Sequence, residues 1–223
     1  MKIFIVIAAY NESKSIHRVL NQLLKQYTNI VVVDDGSADD TATIVAKLPV
    51  YLLRHSINRG QGASLQTGIC FALENEADII VTFDADGQHD VQDISELIAP
   101  IMNDECDIAL GSRFLGEAHN IPLLRKLMLK AGIVFTRLVS NIQITDVHNG
   151  LRALSRQAAS NIHITMDRMA HASEILDQIH LAQLRYKEVP VNIYYSEYSL
   201  EKGQSSWNAL RIATQILINR TVK

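Results

Sequence analysis

Apolar residues along the chain fall into short continuous runs separated by longer segments with helical spacing. Ile3–Ala8 is a run of this kind, as are Ile30–Val33, Val50–Leu53, Ile79–Phe83 and Asp107–Leu110. Runs of four to six apolar or β-branched residues with no alternation predict strands buried on both faces. Between them, Ile16, Val19, Leu20, Leu23, Leu24 and Tyr27 recur at the helical period, predicting a helix from about Ser13. A short helix is expected from Asp40 and Thr41 through Lys47, with Asp39, Asp40 or Thr41 as its cap. A third, opened by Asn58–Ala63, should run to about Glu74, and a fourth carries Ile94, Leu97, Ile98 and Ile101. Strict βα alternation predicts an α/β fold with a mostly parallel sheet covered by helices on both faces. Strand order is not encoded in this pattern.

Beyond residue 115 the regularity loosens. A long apolar helix is predicted from Pro122 to about Val139. Asp146–Arg152 reads as a polar turn into a short strand, and Met166–Ala182 as a helix holding Glu174. Arg185–Tyr195 reads as a strand in which Pro190 calls for an edge position or a bulge. Residues 196–206 form a polar loop, and Trp207–Arg220 an amphipathic helix suited to core packing or to a membrane surface. No repeat or linker divides the chain. The expectation is one domain over 1–223, with a nucleotide-sugar-binding half at 1–115 and an acceptor-side half at 116–223.

The candidate chemistry lies at the ends of the strands. Asp34 and Asp35 follow the second, and Asp84-Ala85-Asp86-Gly87-Gln88-His89-Asp90 follows the fourth. Open α/β sheets bind ligands beyond the carboxyl ends of their strands. Asp84 and Asp86, one residue apart in an extended segment, point the same way and repel unless a cation lies near them. Oxygen ligands favour Mg²⁺ or Mn²⁺, which suggests a cation holding a diphosphate. A polar strand-to-helix turn capped by Asp90 is the plain alternative for such a motif taken alone. Asn58-Arg59-Gly60-Gln61-Gly62 offers backbone amides to phosphate at a helix start. Neither GxGxxG nor GxxxxGK[ST] spacing is present, which argues against dinucleotide and P-loop sites.

Composition narrows the classes. The net charge of −3 gives no basis for nucleic-acid binding. Cys70 and Cys106, both in apolar segments, are expected to be buried thiols of a reducing compartment. The apolar start runs straight into Tyr10-Asn11-Glu12, so it reads as a core strand rather than a signal peptide. No uncharged apolar run approaches the ~20 residues that span a bilayer. A cytoplasmic protein is expected, with contact at the inner face of the plasma membrane left open.

Taken together, AAYNE (8–12), VVVDDGSADDT (31–41), NRGQGA (58–63), FDADGQHD (83–90), GSRF (111–114), DVHNGLRALSR (146–156) and EVPV (188–191) resemble family 2 glycosyltransferases. The nearest branch is that of dolichyl-phosphate mannose synthases and bacterial polyisoprenyl-phosphate sugar transferases. The resemblance covers nearly the whole chain and implies the GT-A fold. It implies that Tyr10, Glu12, Val33 and Asp35 contact the donor nucleotide and that Asp84, Asp86 and Gln88 surround Mg²⁺ or Mn²⁺. It further implies that Arg113, Arg125 and Lys202 attract the donor diphosphate or an acceptor phosphate. Many relatives carry transmembrane helices after the catalytic domain; this chain shows none, so a lipid acceptor would be met at the membrane surface or through a separate partner. A homo-oligomer also stays open.

The implied reaction moves a sugar from a UDP- or GDP-linked donor to a polyisoprenyl phosphate or a glycan hydroxyl, with inversion, in envelope polysaccharide or glycoconjugate synthesis. A hydroxyl acceptor needs a general base, and a phosphate acceptor needs none. The candidate catalytic residues are Asp86, Arg113, Asp146 and Glu174, the last two as bases; Glu174 would otherwise be a structural acid paired with Arg152 or Arg168. His89 would either orient the acidic loop or serve as a further ligand. Two other classes share parts of this pattern. Haloacid-dehalogenase phosphatases also place DxDG after a strand, but after their first strand and followed by threonine. A non-catalytic nucleotide-sugar-binding subunit would keep the donor site without turnover.

Overall fold

The computed structural model describes residues 1–140, 142–166 and 171–195. The strands are β1 (Ile3–Ala9), β2 (Ile30–Asp34), β3 (Tyr51–Arg54), β4 (Ile79–Asp84), β5 (Ile108–His119), β6 (Arg152–Ser155) and β7 (Tyr186–Tyr194). The helices are α1 (Ile16–Leu23), α2 (Thr41–Val45), α3 (Gln61–Glu74), α4 (Asp93–Met102), α5 (Leu123–Ser140), α6 (Arg156–Asn161) and α7 (His171–Leu181). The seven strands form one sheet in the order β3-β2-β1-β4-β6-β5-β7.

All neighbouring strands are parallel except β6, which runs antiparallel to both β4 and β5. The apolar runs explain why the sheet is buried on both sides. Phe4, Val6, Val31, Val33 and Ile80 face one helical layer, and Ile5, Ile7, Val32, Val81 and Phe83 the other. β1 pairs β2 on one edge and β4 on the other, so the chain reverses its direction of sheet growth there. Such a switch point leaves a crevice at the carboxyl ends of the two strands. Ala8 lies opposite Asp84 across this gap.

Several expectations shift in detail. Of the three caps expected for α2, Asp39 supplies the bond: its carboxylate accepts from Thr41 N (3.0 Å) and from Ser13 N (3.1 Å), while Asp40 makes no side-chain cap bond. These bonds, with the hydroxyl, hold Asp39 near a pKa of about 2 against the opposing effect of burial. Asp90 is not the cap of α4; it accepts from Gln92 N in the turn before the helix. Helix α6 had no apolar periodicity to announce it. Cys70 is exposed, and only Cys106 is buried; in the α3 helix Cys70 lies on the side away from the sheet. β5 extends well past Leu110 through an irregularity between Ser112 and Glu117, where it pairs with β7. Pro190 sits on β7, the edge strand, where a missing N–H is tolerated. Among the described residues, no helix is long and apolar enough to cross a membrane. The predicted helix at 207–220 lies outside the described residues.

Candidate active site

A cavity of about 510 Å³ opens at the carboxyl ends of β1 and β4. The loops around it are tied together by side chains. Asn11, at φ 53°, donates from its N–H to Ser37 Oγ and accepts from Ala38 N. Glu12 N donates to Thr41 Oγ1. These bonds hold the loops after β1 and β2 side by side, which brings Tyr10 and Glu12 to the rim with Asp35 below them.

Asp35 is buried and heavily used. It accepts from Arg59 N (3.0 Å) and Gly60 N (2.6 Å) and contacts His55 Nδ1 at 2.7 Å. These bonds position the start of α3, whose Gln61 reaches across to Asp84. Ser64, in the first turn of α3, lines the cavity with a fully buried hydroxyl that has no hydrogen-bond partner. A buried hydroxyl left unpaired costs free energy unless a ligand or water completes it.

Asp84 and Asp86 both face the cavity. Asp84 keeps 29% of its side-chain exposure, through the cavity mouth, and touches His89 Nε2 (2.9 Å) and Gln61 Nε2 (3.1 Å). Burial opposes ionisation of Asp84. The hydrogen bond and charge of His89, with the charges of His171 and Arg152, outweigh this and hold its pKa below the ordinary value. Asp86 goes the other way: burial first, and then the neighbouring Asp84 charge, push its carboxyl up to about 6. Two adjacent acids driven apart in this manner are an electrostatic strain that a cation would relieve. Gln88 N closes the loop onto Asp86 Oδ1 at 3.0 Å.

The opposite wall comes from the turn between α5 and β6. Glu188 of β7 accepts from Thr145 N, Thr145 Oγ1 and Asp146 N, which anchors that turn. Asp146, 1% exposed in its side chain, is paired with Arg113 Nε at 2.6 Å and also accepts from Arg113 N. Arg113 donates in turn to Tyr195 OH, and these oxygens raise its pKa although burial opposes them. His148 is driven down to about 4 by burial, so it is neutral at ordinary pH. Its Nδ1 has no partner.

Of the residues expected in the site, Tyr10, Glu12, Asp35, Asp84, Asp86, Gln88 and Arg113 line one cavity. Val33 does not; its side chain is wholly buried in the core beside α3. Asp146 sits behind Arg113 rather than on the cavity surface. Glu174 lies away from the cavity, where it accepts from Thr165 N, Thr165 Oγ1 and Met166 N. The acid expected to pair with Arg152 or Arg168 thus holds a backbone turn. Arg152 bonds Val147 O, and Arg168 lies outside the described residues. Arg125 falls on α5 with a side chain that is not described, and Lys202 lies outside the described residues. His89 lines the cavity with its Nε2 2.9 Å from Asp84. Gln61 joins them from the stretch expected to offer backbone amides to phosphate, and Ser64, His148, Asn149, Gly150, Arg152 and His171 add to the wall although none was expected as a site residue. The signal for four of them was the polar turn at 146–152.

Divalent ions fit this donor set. Among the described residues, no three His, Cys, Asp or Glu converge as a closed cage. Mg²⁺ and Mn²⁺ sites that act on phosphates need only one or two carboxylates, the remaining ligands being water and substrate oxygen.

The sequence profile of glycosyl transferase family 2 matches residues 4–162. The chain belongs to that family. An uncharacterised protein of Methanocaldococcus jannaschii is 38% identical, over 98% of this chain and 92% of its own length. The UDP-N-acetylglucosamine–dolichyl-phosphate N-acetylglucosaminyltransferase of Methanococcus voltae is 35% identical, over 97% of this chain and 95% of its own. The family 2 chain also superposes on glucosyl-3-phosphoglycerate synthase of Mycobacterium tuberculosis, crystallised with Mn²⁺ and UDP-glucose. That match has a TM-score of 0.72 at 15% identity and covers 97% of this chain and 76% of the other. The fold is thus the GT-A fold, and the protein is a glycosyltransferase.

Proposed function

We propose that this glycosyltransferase moves a sugar from a nucleotide diphospho-sugar to a polyprenyl phosphate, with inversion at the anomeric carbon. Tyr10, Glu12 and the Asp35 loop form the nucleotide end of the cavity. Asp84, Asp86 and Gln88 would hold a divalent cation against the diphosphate. A bound Mg²⁺ or Mn²⁺ supplies charge neutralisation for the departing nucleotide. The orientation of the site carboxylates falls to His89, Gln61 and Gln88 N. Arg113, fixed by Asp146 and Tyr195, presents a guanidinium face of fixed direction to developing negative charge.

The observation that carries the acceptor is the state of the two expected bases. Asp146 is consumed by a buried ion pair, and Glu174 by backbone amides. His148, pulled down to about 4, is a weak proton acceptor. A hydroxyl acceptor would need a base, whereas a lipid phosphate arrives already ionised. The similarity to a dolichyl-phosphate sugar transferase supports the same reading.

A polyprenyl phosphate is met at a bilayer. Helix α5 presents Leu123 and Leu127, 84% and 67% exposed, beside exposed Lys126 and Lys130. An apolar stripe flanked by lysines suits contact with an anionic membrane surface. The protein would then work from the cytoplasmic side as one domain, its donor half at 1–115 and its acceptor half at 116–223.

The test is incubation with a panel of UDP- and GDP-sugars, Mn²⁺ and a short-chain prenyl phosphate. Sugar transfer to the prenyl phosphate that stops with EDTA supports the reading. Phosphate release from simple phosphomonoesters would point to a phosphatase, and tight donor binding without turnover to a binding subunit.

A further inference from the structure

Among the described residues two arginines line the cavity, and they differ in how their charge is answered. Arg113 has Asp146 at 2.6 Å. Arg152 has no carboxylate in ion-pair contact among the described residues; its Nη2 donates to Val147 O at 3.1 Å and its other N–H groups have no acceptor there. Asp84 and Asp146 act on it only from a distance. The residue is nevertheless buried, 5% exposed. Burial pulls its pKa down to about 10, so the side chain still carries its charge at neutral pH.

Its place in the fold is specific. β6 is the strand that runs against the direction of its neighbours, and Arg152 opens it, directly opposite Thr82 of β4. Thr82 is two residues before Asp84. The guanidinium therefore enters the same cavity as the two acids from the neighbouring strand. Ser64 Oγ, buried and unpartnered, lines that cavity as well. The donors left over on this guanidinium lie at the cavity wall, where an anion can reach them. The planar fork of an arginine matches two oxygens of one phosphate.

We propose that Arg152 is a phosphate anchor in the wall of the cavity, able to bind substrate phosphate without a divalent cation. The inference rests on the reading of this cavity as a phosphate-handling site and adds a second holding point, independent of Asp84 and Asp86. The phosphate is either the donor diphosphate or the acceptor phosphate. The competing role is purely structural, a clamp on the turn at Val147.

The experiment is titration calorimetry of the full chain and of R152Q with pyrophosphate, UDP and a short-chain prenyl phosphate, each in EDTA and in Mn²⁺. The wild type is expected to bind at least one of these in EDTA, and R152Q to bind it roughly tenfold to a hundredfold more weakly, the loss typical of a charge-assisted contact. Loss confined to UDP and pyrophosphate assigns the donor diphosphate, with a raised donor KM. Loss confined to prenyl phosphate assigns the acceptor. R152K, which keeps the charge but not the fork, should fall between the two and stands in if R152Q does not fold. Absence of any binding in EDTA by the wild type overturns the proposal, as does equal affinity in a folded R152Q or, in its place, a folded R152K. If instead UDP fails to bind even with Mn²⁺ while pyrophosphate binding still depends on Arg152, the sugar-transfer reading falls and the anchor stands.

Discussion

Gly150 lies directly against the carboxylate of Asp84: a Cβ at this position would overlap both carboxylate oxygens. Its carbonyl accepts from Thr82 Oγ1 at 2.6 Å, which fixes the turn against β4. The glycine is thus required by close approach to the cavity acid. Gly150→Ala must displace either the turn or Asp84. The expected outcome is a loss of Mn²⁺-dependent UDP affinity of tenfold or more, with about 1 to 3 kcal/mol of lost stability from overpacking. Calorimetry and thermal melts on the same samples check it; unchanged affinity would mean the turn, not the acid, gives way.

Asp86 sets a pH dependence whose sign follows from its raised pKa. Its carboxyl titrates near 6 in the folded protein and near the ordinary 3.8 when unfolded. The unfolded state therefore ionises more easily. The contribution of Asp86 to stability is whole below about pH 4 and is lost as pH rises through 6. In the metal-free protein Asp86→Asn should raise stability at pH 7 to 8 by on the order of 2 kcal/mol, read as a higher melting temperature, with the gain vanishing toward pH 4. The same variant should lose Mn²⁺-dependent donor binding. Normal donor turnover in this variant would remove Asp86 from the cation site.

The Arg113–Asp146 pair predicts a strongly non-additive pair of substitutions. Asp146→Asn leaves a buried guanidinium with a neutral partner and is expected to cost about 3 kcal/mol or more. Arg113→Met in that background should cost much less than Arg113→Met alone. A double-mutant cycle from denaturant melts measures the coupling. Donor binding should survive Asp146→Asn if the fold holds, while transfer slows because Arg113 loses its fixed direction.

Glu174 separates structural from chemical roles. Its carboxylate satisfies Thr165 N and Met166 N, so Glu174→Gln should lower stability by about 1 to 2 kcal/mol and leave the pH profile of kcat unchanged. A basic limb lost from that profile would return Glu174 to the chemistry.

How far the sequence reaches differs from element to element. The apolar runs at Ile3, Ile30, Ile79 and Ile108 located four strands within a residue or so at their starts, because a strand buried on both faces leaves few polar alternatives. Asp84 and Asp86 were legible because side-chain alternation and like-charge repulsion are local. Arg152 and Ser64 were not, because they become cavity residues only through pairing across 70 residues of chain and through the packing of α3. α6 was hidden for want of an apolar stripe, and Cys70 looked buried only because its neighbours are apolar.

Local order along the chain determined the βα alternation, the acids at the strand ends and the motif order that places the protein among the glycosyltransferases. Tertiary structure alone decided the insertion of antiparallel β6 between β4 and β5, the commitment of Asp146 to Arg113, and the nearness of Gly150 to Asp84. The reason is physical. Periodicity and charge repulsion act over a few residues, whereas ion pairs and close approaches depend on which distant segments the sheet brings together.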